Sequence, residues 1–491
     1  MAEQRHLDRL NQIDASFLLQ EHDTTHMHIG AVAIFDGPPP SVEEFRSGMS
    51  DRLHLVPRYR QRIAEPPLGL GRPMWAEDPH FNIDYHVRET ALPAPGSDAQ
   101  LRHLTARIFS QRLDRSKPLW ELWIVHGLED RRFALITKTH HAMVDGVGGA
   151  DLLTVLFDVT PRPREIEPQP WSPPPAPSTA QLVAEELRGL AADGIGTAVA
   201  AAGLAVRPDR LLRGLRDRAE GLAGVAWAGL NPPAPTPLTL PPGPHRRVDH
   251  VDASLADFKA IKNHFGCTVN DAVLAVVAGA LHEFLTSRGL RTEGVELRAA
   301  VPVSVRTGDG SGALGNEITQ LVCPLPVYIA DPAERLRVVK EAMDGVKHSK
   351  LALGAETITN LEGFAPPTLL AQASRLHFST RFFSLLVTNV PGPQFPLYMQ
   401  GRELESICPV AFLGGDHTLA IAIMSYNGGV CFGLISDYDL VPDLGVVADG
   451  IRHAIAELVD LAAQAEPAPA RAGARAAPAR TNGHGELSVD R

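Results

Sequence analysis

The stretch FALITKTHHAMVDGVGGA (residues 133–150) decides how the rest of the sequence is interpreted. A run of apolar and β-branched residues leads directly into two adjacent histidines, His140 and His141. Asp145 and Gly146 follow the second histidine, and further glycines come after them. The pattern predicts a half-buried strand that ends at the histidines, a tight glycine-rich turn, and a helix that starts near residue 150.

The histidine pair predicts a proton-transfer site. Adjacent side chains on a strand point to opposite faces, so only one of the two rings can face a given cleft. A histidine with a pKa of about 6.5 can accept a proton at neutral pH, which suits a general base for an alcohol, thiol or amine. No serine or cysteine stands beside the pair, which favours direct attack by a bound acceptor over a covalent acyl-enzyme.

The same residues admit other interpretations. Asp145 could orient an imidazole, or it could hold the turn by pairing with an arginine elsewhere. The two histidines could be a structural pair, as could His26 and His28 on the preceding strand. A zinc site has little support, because one face offers too few ligands and neither an H-E-x-x-H motif nor a cysteine pair accompanies the histidines.

Length and composition describe a globular protein of two or three domains. The chain has 491 residues, of which 44% are hydrophobic and 21% charged, and its net charge of −11 makes nucleic acid an improbable partner. Its four cysteines are widely spaced, so we expect buried thiols in a reducing compartment. The polar start predicts a cytoplasmic protein. The longest apolar run, residues 272–281, is too short to span a bilayer, so any membrane contact is expected to be peripheral.

Two proline-rich segments, residues 161–178 and 231–245, divide the chain. We predict an N-terminal domain carrying the histidine motif, proline-rich linkers with a helical crossover, a C-terminal domain, and a disordered tail. These units are assigned to residues 1–160, 161–245, 246–463 and 464–491. The crossover carries arginines between residues 207 and 218, which could lie on a membrane or form a solvated face of a helix packed across the domains.

Local signals predict individual helices and strands. Four pairs, Ser41 with Glu44, Ser97 with Gln100, Ser254 with Asp257 and Thr268 with Asp271, are typical of helix N-termini. The first of these helices is expected to run toward Arg62. Strands are predicted at 28–37, 119–128 and 297–306, a hairpin around Asn427–Gly428, and a closing helix from 442 to 462.

The motif HHAMVDG (140–146) resembles the HHxxxDG signature of coenzyme A dependent acyltransferases and peptide-synthetase condensation domains. More specifically, the chain resembles the bacterial wax ester synthase/diacylglycerol acyltransferase family. Further matching stretches run in order through both halves, from about residue 7 to 463. They are IDASFL (13–18), PLW (118–120), NDAVLA (270–275), VPVSVR (301–306), GNEIT (315–319), TNVPGP (388–393) and SYNGGVCFGLISD (425–437).

The resemblance implies a fold and a set of site residues. Members of the family look like two chloramphenicol-acetyltransferase-like α/β domains that face each other across a tunnel. By that similarity His141 would be the base, while His140 and Asp145 would keep the geometry of the loop. Gly146 and Asn270 would contact the substrates, and Asn270 is a candidate oxyanion donor. Asn270 also sits at a helix start, where it could simply act as a cap.

The resemblance also implies an activity: transfer of a long acyl chain from acyl-CoA to a diacylglycerol or a fatty alcohol, without a metal or other cofactor. The protein would then associate peripherally with the inner membrane face or with lipid inclusions. One alternative is a condensation-type acyltransferase that takes its acyl group from a carrier protein. Another is a non-catalytic lipid-binding protein on the same scaffold. Acceptor preference and chain length do not follow from the sequence.

Overall fold

The computed structural model of the chain describes residues 7–67, 71–143, 155–205, 230–304, 318–347 and 379–464. Helices and strands alternate along the chain; two six-stranded sheets with mixed strand directions form the centres of two lobes, and a smaller three-stranded sheet accompanies them. This arrangement confirms the predicted α/β class. The strands are β1 (Leu7–Arg9), β2 (His28–Phe35), β3 (Gln61–Ala64), β4 (Met74–Glu77), β5 (Val87–Ala91), β6 (Trp120–His126), β7 (Phe133–His140), β8 (Arg246–Ser254), β9 (Leu297–Ser304), β10 (Ile318–Leu325), β11 (Leu385–Pro391), β12 (Tyr398–Met399), β13 (Arg402–Val410), β14 (Leu419–Tyr426) and β15 (Gly429–Asp437). The longer helices are α1 (Gln12–Gln20), α2 (Val42–Arg52), α3 (Ile83–His86), α4 (Asp98–Phe109), α5 (Thr179–Ala205), α6 (Leu255–Phe265), α7 (Val269–Ser287), α8 (Pro332–Lys347) and α9 (Leu444–Gln464).

The first sheet positions the histidine motif. Its strand order is β12-β13-β2-β7-β6-β5, so the histidine strand β7 lies inside it between β2 and β6. All eight residues of β7 are buried, so the predicted half-buried strand is wrong in this respect. An interior strand that is covered on both faces carries apolar residues without alternation, which explains the run FALI at its start.

The second sheet has the order β10-β9-β11-β14-β15-β8. Helix α7 packs against α8 and α9 beside it and supplies much of the second hydrophobic core. Within the described residues, α7 alone is long and apolar enough to cross a membrane, but 72% of that window is buried inside the fold. It is a core helix of this lobe.

Strands β12 and β13 join the two halves of the chain. They come from the C-terminal half, yet β13 pairs antiparallel with β2 of the first sheet, and the register places Cys408 opposite Val32. The first sheet is therefore completed by residues that follow β11 in the chain. The domain boundaries drawn from the proline-rich segments remain predictions. They did not anticipate that β12 and β13 from the C-terminal half would extend the sheet of the first lobe.

The helix caps largely follow the sequence. Ser97 and Thr268 form reciprocal capping boxes with Gln100 and Asp271, and Ser41 accepts a hydrogen bond from the backbone N–H of Glu44. Ser254 also caps its helix, although it accepts from Ala256 and not from Asp257. These N-terminal signals are confirmed with that one difference.

The end of α2 corrects the prediction that it would run toward Arg62. The helix ends at Arg52, two short 3-10 turns follow, and β3 begins at Gln61. Pro57 opens the second turn, where its missing N–H and its restriction of the preceding residue prevent a continuous α-helix.

The linkers contain neither helix nor strand between 161 and 178 or between 232 and 245. Trp171 nevertheless anchors the first linker, because its indole N–H donates to Glu77 at 3.2 Å and the Arg60 guanidinium lies over its ring. Helix α5 follows, and an Arg9–Glu186 ion pair of 2.6 Å joins it to β1. The arginines between 207 and 218 and the tail from 465 onward lie outside the described residues.

The predicted hairpin and closing helix are also confirmed. Asn427 and Gly428 have φ of 44° and 86°, which are the positive values that a tight two-residue hairpin turn requires. They connect β14 to β15 with Tyr426 opposite Gly429. All four cysteines are free thiols; three are buried, and Cys408 is only partly so.

Candidate active site

The two histidines sit where β7 ends and a short turn, His141–Met143, begins. Both backbones are held by neighbouring segments of the first lobe. The His140 N–H donates to the Leu119 carbonyl at 2.9 Å, and the His141 N–H donates to the Met27 carbonyl at 2.7 Å. The loop before β2 therefore fixes the position at which the chain leaves the sheet.

The His140 ring is fully enclosed, with 1% of the residue exposed. Its Nδ1 accepts a hydrogen bond from the Ala142 N–H at 3.1 Å, so a neutral ring carries its proton on Nε2. That Nε2 lies 3.8 Å from a carboxylate oxygen of Glu21. Burial lowers the pKa of His140 well below its usual value, and the neighbouring His28 lowers it further. The ring is neutral at physiological pH and enclosed by protein, which suits a supporting role.

Glu21 is the centre of a buried polar cluster behind the turn. Its side chain is 1% exposed, and one carboxylate oxygen lies 3.2 Å from Nε2 of His28. The other oxygen accepts from Arg115 at 2.8 Å, and Arg112 lies 3.6 Å from it. The two guanidinium groups offset the cost of burying the carboxylate, while the carboxylate faces the supporting histidines.

Sequence reasoning did not single out Glu21, and it treated His28 as an ordinary histidine. Glu21 and His28 bracket the loop that precedes β2, but they come together with His140 only because β2 pairs with β7 and places His28 opposite His140. Strand pairing in this register could not be read from one strand alone.

The His141 ring is half-buried and packs against two aromatic side chains that also contact each other. Its centroid is 4.1 Å from that of Phe17 on α1 and 5.4 Å from that of Phe412, which approaches edge-on from the segment after β13. Burial lowers the pKa of His141 to about 4. The imidazole is therefore neutral at physiological pH and able to accept a proton, in surroundings that disfavour bulk water.

Asn270 occupies the second position of α7, and the cap of this helix is made by Thr268 and Asp271. Capping therefore does not explain Asn270, although its neighbour Asp271 does take part. Its side-chain oxygen accepts a hydrogen bond from the amide of Asn389 on β11 at 3.3 Å, which leaves the Asn270 NH₂ group as a donor. No hydrogen bond joins Asn270 to either motif histidine within the described residues.

Trp120 of the PLW triplet is a core residue. Its indole N–H donates to the Tyr59 carbonyl at 2.8 Å, and its ring stacks on His86 with centroids 4.4 Å apart. Trp123, on the same strand, is only partly buried; its N–H donates to Glu121 at 3.1 Å and the Arg88 guanidinium lies over its ring.

Asp145 and Gly146 lie outside the described residues, as does the predicted helix start near residue 150. The expected tunnel also stays a prediction, since residues 144–154, 305–317 and 348–378 are not described. A cleft of about 360 Å³ is present beside α2, lined among others by Phe45, Arg52 and Arg164. None of its lining residues belongs to the histidine turn. Within the described part of the chain, no group of three or more His, Cys, Asp or Glu side chains is arranged to hold a metal ion.

Comparison with known proteins places these features in a wider group. Residues 10–273 match the sequence model of the wax ester synthase/diacylglycerol acyltransferase catalytic domain, and residues 314–459 match that of the WS/DGAT C-terminal domain. A Mycobacterium tuberculosis protein named as a diacylglycerol O-acyltransferase is 33% identical over 465 residues, which are 92% of this chain and 90% of the relative.

Two solved structures show the same architecture. The wax ester synthase/diacylglycerol acyltransferase from Marinobacter aquaeolei VT8 is 27% identical with a TM-score of 0.67, and the match covers 93% of this chain and 100% of that one. The first condensation domain of the calcium-dependent antibiotic synthetase is 18% identical with a TM-score of 0.56, covering 93% and 96%. The second likeness concerns the fold alone.

Proposed function

The chain belongs to the wax ester synthase/diacylglycerol acyltransferase family, and from this premise we propose that it transfers a long acyl chain from acyl-CoA to the hydroxyl of a diacylglycerol, with His141 as general base. Acyltransferase activity follows from family membership. The donor, the acceptor and the roles of individual residues are the proposed part.

The observation that carries the proposal is the state of the His141 ring. It is the second histidine of the motif, it lies inside the region matched to the catalytic domain, and it is neutral and packed against the rings of Phe17 and Phe412. His140, by contrast, is enclosed and directed toward Glu21. Of the two rings, His141 is therefore the one suited to meet a substrate.

The chemistry needs no covalent enzyme intermediate. As the acceptor oxygen attacks the thioester carbonyl, its proton moves to the free nitrogen of His141 and a carbon–oxygen bond forms. The tetrahedral intermediate then collapses, the carbon–sulfur bond breaks, and the proton passes from the imidazolium to the departing thiolate. General-base catalysis by a positioned group contributes about 10² to 10⁴-fold, and alignment of the two substrates adds to it.

Because burial lowers the pKa of His141, its imidazole is a weak base before the substrates bind. The same surroundings help once both substrates fill the site, because the developing imidazolium and oxyanion attract each other strongly when water is excluded. We assign the oxyanion contact to the NH₂ group of Asn270, whose orientation is set by Asn389. The support for this assignment is that capping does not account for Asn270.

Diacylglycerol is the acceptor we favour, since the Mycobacterium tuberculosis relative is named for it. A fatty alcohol is the second candidate, because the Marinobacter protein is named both as a wax ester synthase and as a diacylglycerol acyltransferase. The two acceptors present the same reacting hydroxyl, so the proposed chemistry is common to both.

We also propose that the protein works in the cytoplasm at a lipid surface, the inner membrane face or a lipid inclusion, where diacylglycerol is concentrated. Two leucines of α5, Leu187 and Leu190, are exposed at 62% and 50%, and one helical turn separates them. Flotation of the purified protein with anionic vesicles tests this: Leu187→Ser with Leu190→Ser should reduce the floated fraction, and unchanged flotation would contradict a role for this face.

The function is tested by a product screen. Palmitoyl-CoA is supplied with dioleoylglycerol and with hexadecanol in parallel, and triacylglycerol and wax ester are separated and quantified. Product with palmitoyl-CoA alone as donor supports the proposal. A requirement for a phosphopantetheinylated carrier protein would favour the condensation-type alternative, and lipid retention without any turnover would favour a binding protein.

A further inference from the structure

The segment between β13 and β14, residues 411–418, carries an aromatic side chain to the proposed base. Phe412 is 4% exposed and packs edge-on against His141, and it also meets the edge of Phe17 at 6.1 Å. The segment contains a turn at Gly415, whose φ of 56° lies in the left-handed region. We refer to residues 411–418 as the Phe412 loop.

The Phe412 loop is fastened by a histidine for which the family chemistry gives no role. His417 is 2% exposed, and its ring stacks on that of Phe383 with centroids 4.4 Å apart and planes 6° from parallel. Its Nδ1 lies 2.5 Å from the Gly414 carbonyl oxygen, and its Nε2 lies 3.0 Å from the Phe383 carbonyl oxygen. One contact closes the loop on itself, and the other ties it to the residue that leads into β11.

Both partners of the His417 ring are acceptors, so the ring must donate. A neutral imidazole has one N–H and can satisfy one carbonyl, whereas the imidazolium can satisfy both. In either protonation state at least one bond holds the loop. The carbonyl of Gly414 is only two residues from Phe412, so this attachment restrains the position of the aromatic ring over His141.

We propose that His417 is a positioning residue for the acyl transfer: by tying the Phe412 loop to Phe383 it holds Phe412 against His141 and keeps water away from that imidazole. The inference rests on the proposed role of His141 as base. It assigns to His417 a task that an apolar core residue of similar size would not perform, because the task depends on hydrogen bonds from the ring.

The charges around both rings define what a pH experiment would report. Burial lowers the pKa of His417, and the hydrogen bonds to the Gly414 and Phe383 carbonyls and then the exposed Asp416 on the same loop only partly oppose this effect. Facing His141 are Phe17 from α1, Phe412 from the loop and, on its own strand, the neutral His140 with Glu21 behind it. Asp145 is close in sequence and lies outside the described residues. Burial is the first cause of the lowered pKa of His141.

The proposal is tested by the acidic limb of the pH dependence of kcat/KM. A general base must be deprotonated in the free enzyme, so activity falls as the pH drops through its pKa. With His141 covered by Phe412, that limb should lie near a pH of 4. In His417→Ala the freed loop admits water, and the limb should move toward about 6.5. The value of kcat should fall by about tenfold or more, with a KM for palmitoyl-CoA that changes little.

Three companion variants keep the test sharp. Phe412→Leu removes the aromatic ring beside His141 without changing the hydrogen bonds of His417. It should therefore move the acidic limb toward higher pH, as His417→Ala does. His417→Gln keeps one donor and should lie between wild type and His417→Ala. His282→Ala is the matched control: this histidine also contacts a backbone carbonyl, that of Val327 at 2.7 Å, but on α7 of the second lobe, and the limb should stay in place.

The outcomes separate this inference from the proposed function. If His417→Ala folds and retains the wild-type acidic limb and kcat, the positioning role of His417 is wrong, while the proposed transferase activity is not contradicted. If His417→Ala does not fold, an unmoved limb in both Phe412→Leu and His417→Gln contradicts the role. Loss of activity in His141→Ala is measured beside them, and retained activity there would contradict the base assignment itself.

Discussion

Glu21 makes the two adjacent histidines unequal. Its carboxylate lies 3.8 Å from Nε2 of His140, whereas the His141 ring packs against Phe17 and Phe412. The Ala142 N–H donates to Nδ1 of His140 and so fixes the tautomer with its proton on Nε2, and the Glu21 carboxylate, 3.8 Å from that Nε2, attracts the N–H electrostatically without a hydrogen bond. The carboxylate therefore acts on the histidine next to the proposed base.

Replacement of Glu21 by glutamine should therefore affect both stability and turnover. The amide presents N–H groups toward His28 and His140, and it removes the charge that pairs with Arg115. We expect the free energy of unfolding to fall by about 1 to 3 kcal/mol, and kcat to fall by about tenfold or more as the turn shifts. Denaturant unfolding and steady-state kinetics measure the two effects.

The control for Glu21→Gln is Glu89→Gln. Glu89 also pairs with a histidine, His126 at 2.6 Å, but its side chain is 45% exposed. Exposed pairs contribute little, so both quantities should stay close to wild type. A Glu21→Gln enzyme that matched this control in stability and kcat would contradict the orienting role.

Asn270 and Thr268 separate catalysis from capping on the same helix. Removal of an oxyanion donor costs about 10² to 10³-fold in kcat, so Asn270→Ala should lose that much activity with little change in stability. Thr268→Ala should do the opposite, because loss of an N-cap costs about 1 kcal/mol while the donor remains. Wild-type kcat in Asn270→Ala would remove that residue from the mechanism.

At the scale of helices and strands, the sequence predicted beginnings better than ends. The caps at Ser41, Ser97 and Thr268 are local, since each requires residues only three positions apart, and they are confirmed. The predicted extension of α2 toward Arg62 is wrong, because Pro57 prevents a continuous α-helix across this segment. Signals between residues close in sequence can thus be identified from one sequence, and an error in them affects only the end of a single helix.

Pairing between distant strands is what the sequence did not contain. The insertion of β12 and β13 into the first sheet depends on a partner more than 360 residues away, and hydrophobic patterning does not identify that partner. The site has the same limit. His140 and His141 could be selected from their motif, whereas Phe412 and Glu21 reach them only through tertiary packing.

At the scale of the whole molecule, Arg246 connects the second lobe to the loop that precedes β2. It is the first residue of β8 and 4% exposed; it donates to the Gly243 carbonyl at 2.6 Å and to the Thr24 carbonyl. Its backbone N–H donates to the Ser110 hydroxyl at 2.9 Å. Thr24 belongs to the loop whose Met27 carbonyl accepts from the His141 N–H, so the second lobe supports the histidine turn through this arginine.

Arg246→Lys keeps the charge but cannot reach both carbonyls with a fixed fork. We expect a lower melting temperature and a kcat reduced by about tenfold. The neighbouring Arg247→Lys is the control, because Arg247 lies over Tyr438 and donates to its carbonyl within the second lobe. It should leave kcat unchanged, and equal effects of the two substitutions would argue against a specific brace.

The most direct measurement for the whole account is triacylglycerol formation from palmitoyl-CoA and dioleoylglycerol by the wild-type protein and by His141→Ala. The wild type should form product without a carrier protein, and the variant should keep its melting temperature while losing at least about 10²-fold in kcat, as expected for a missing general base. A folded His141→Ala enzyme that turns over at the wild-type rate would contradict the central claim.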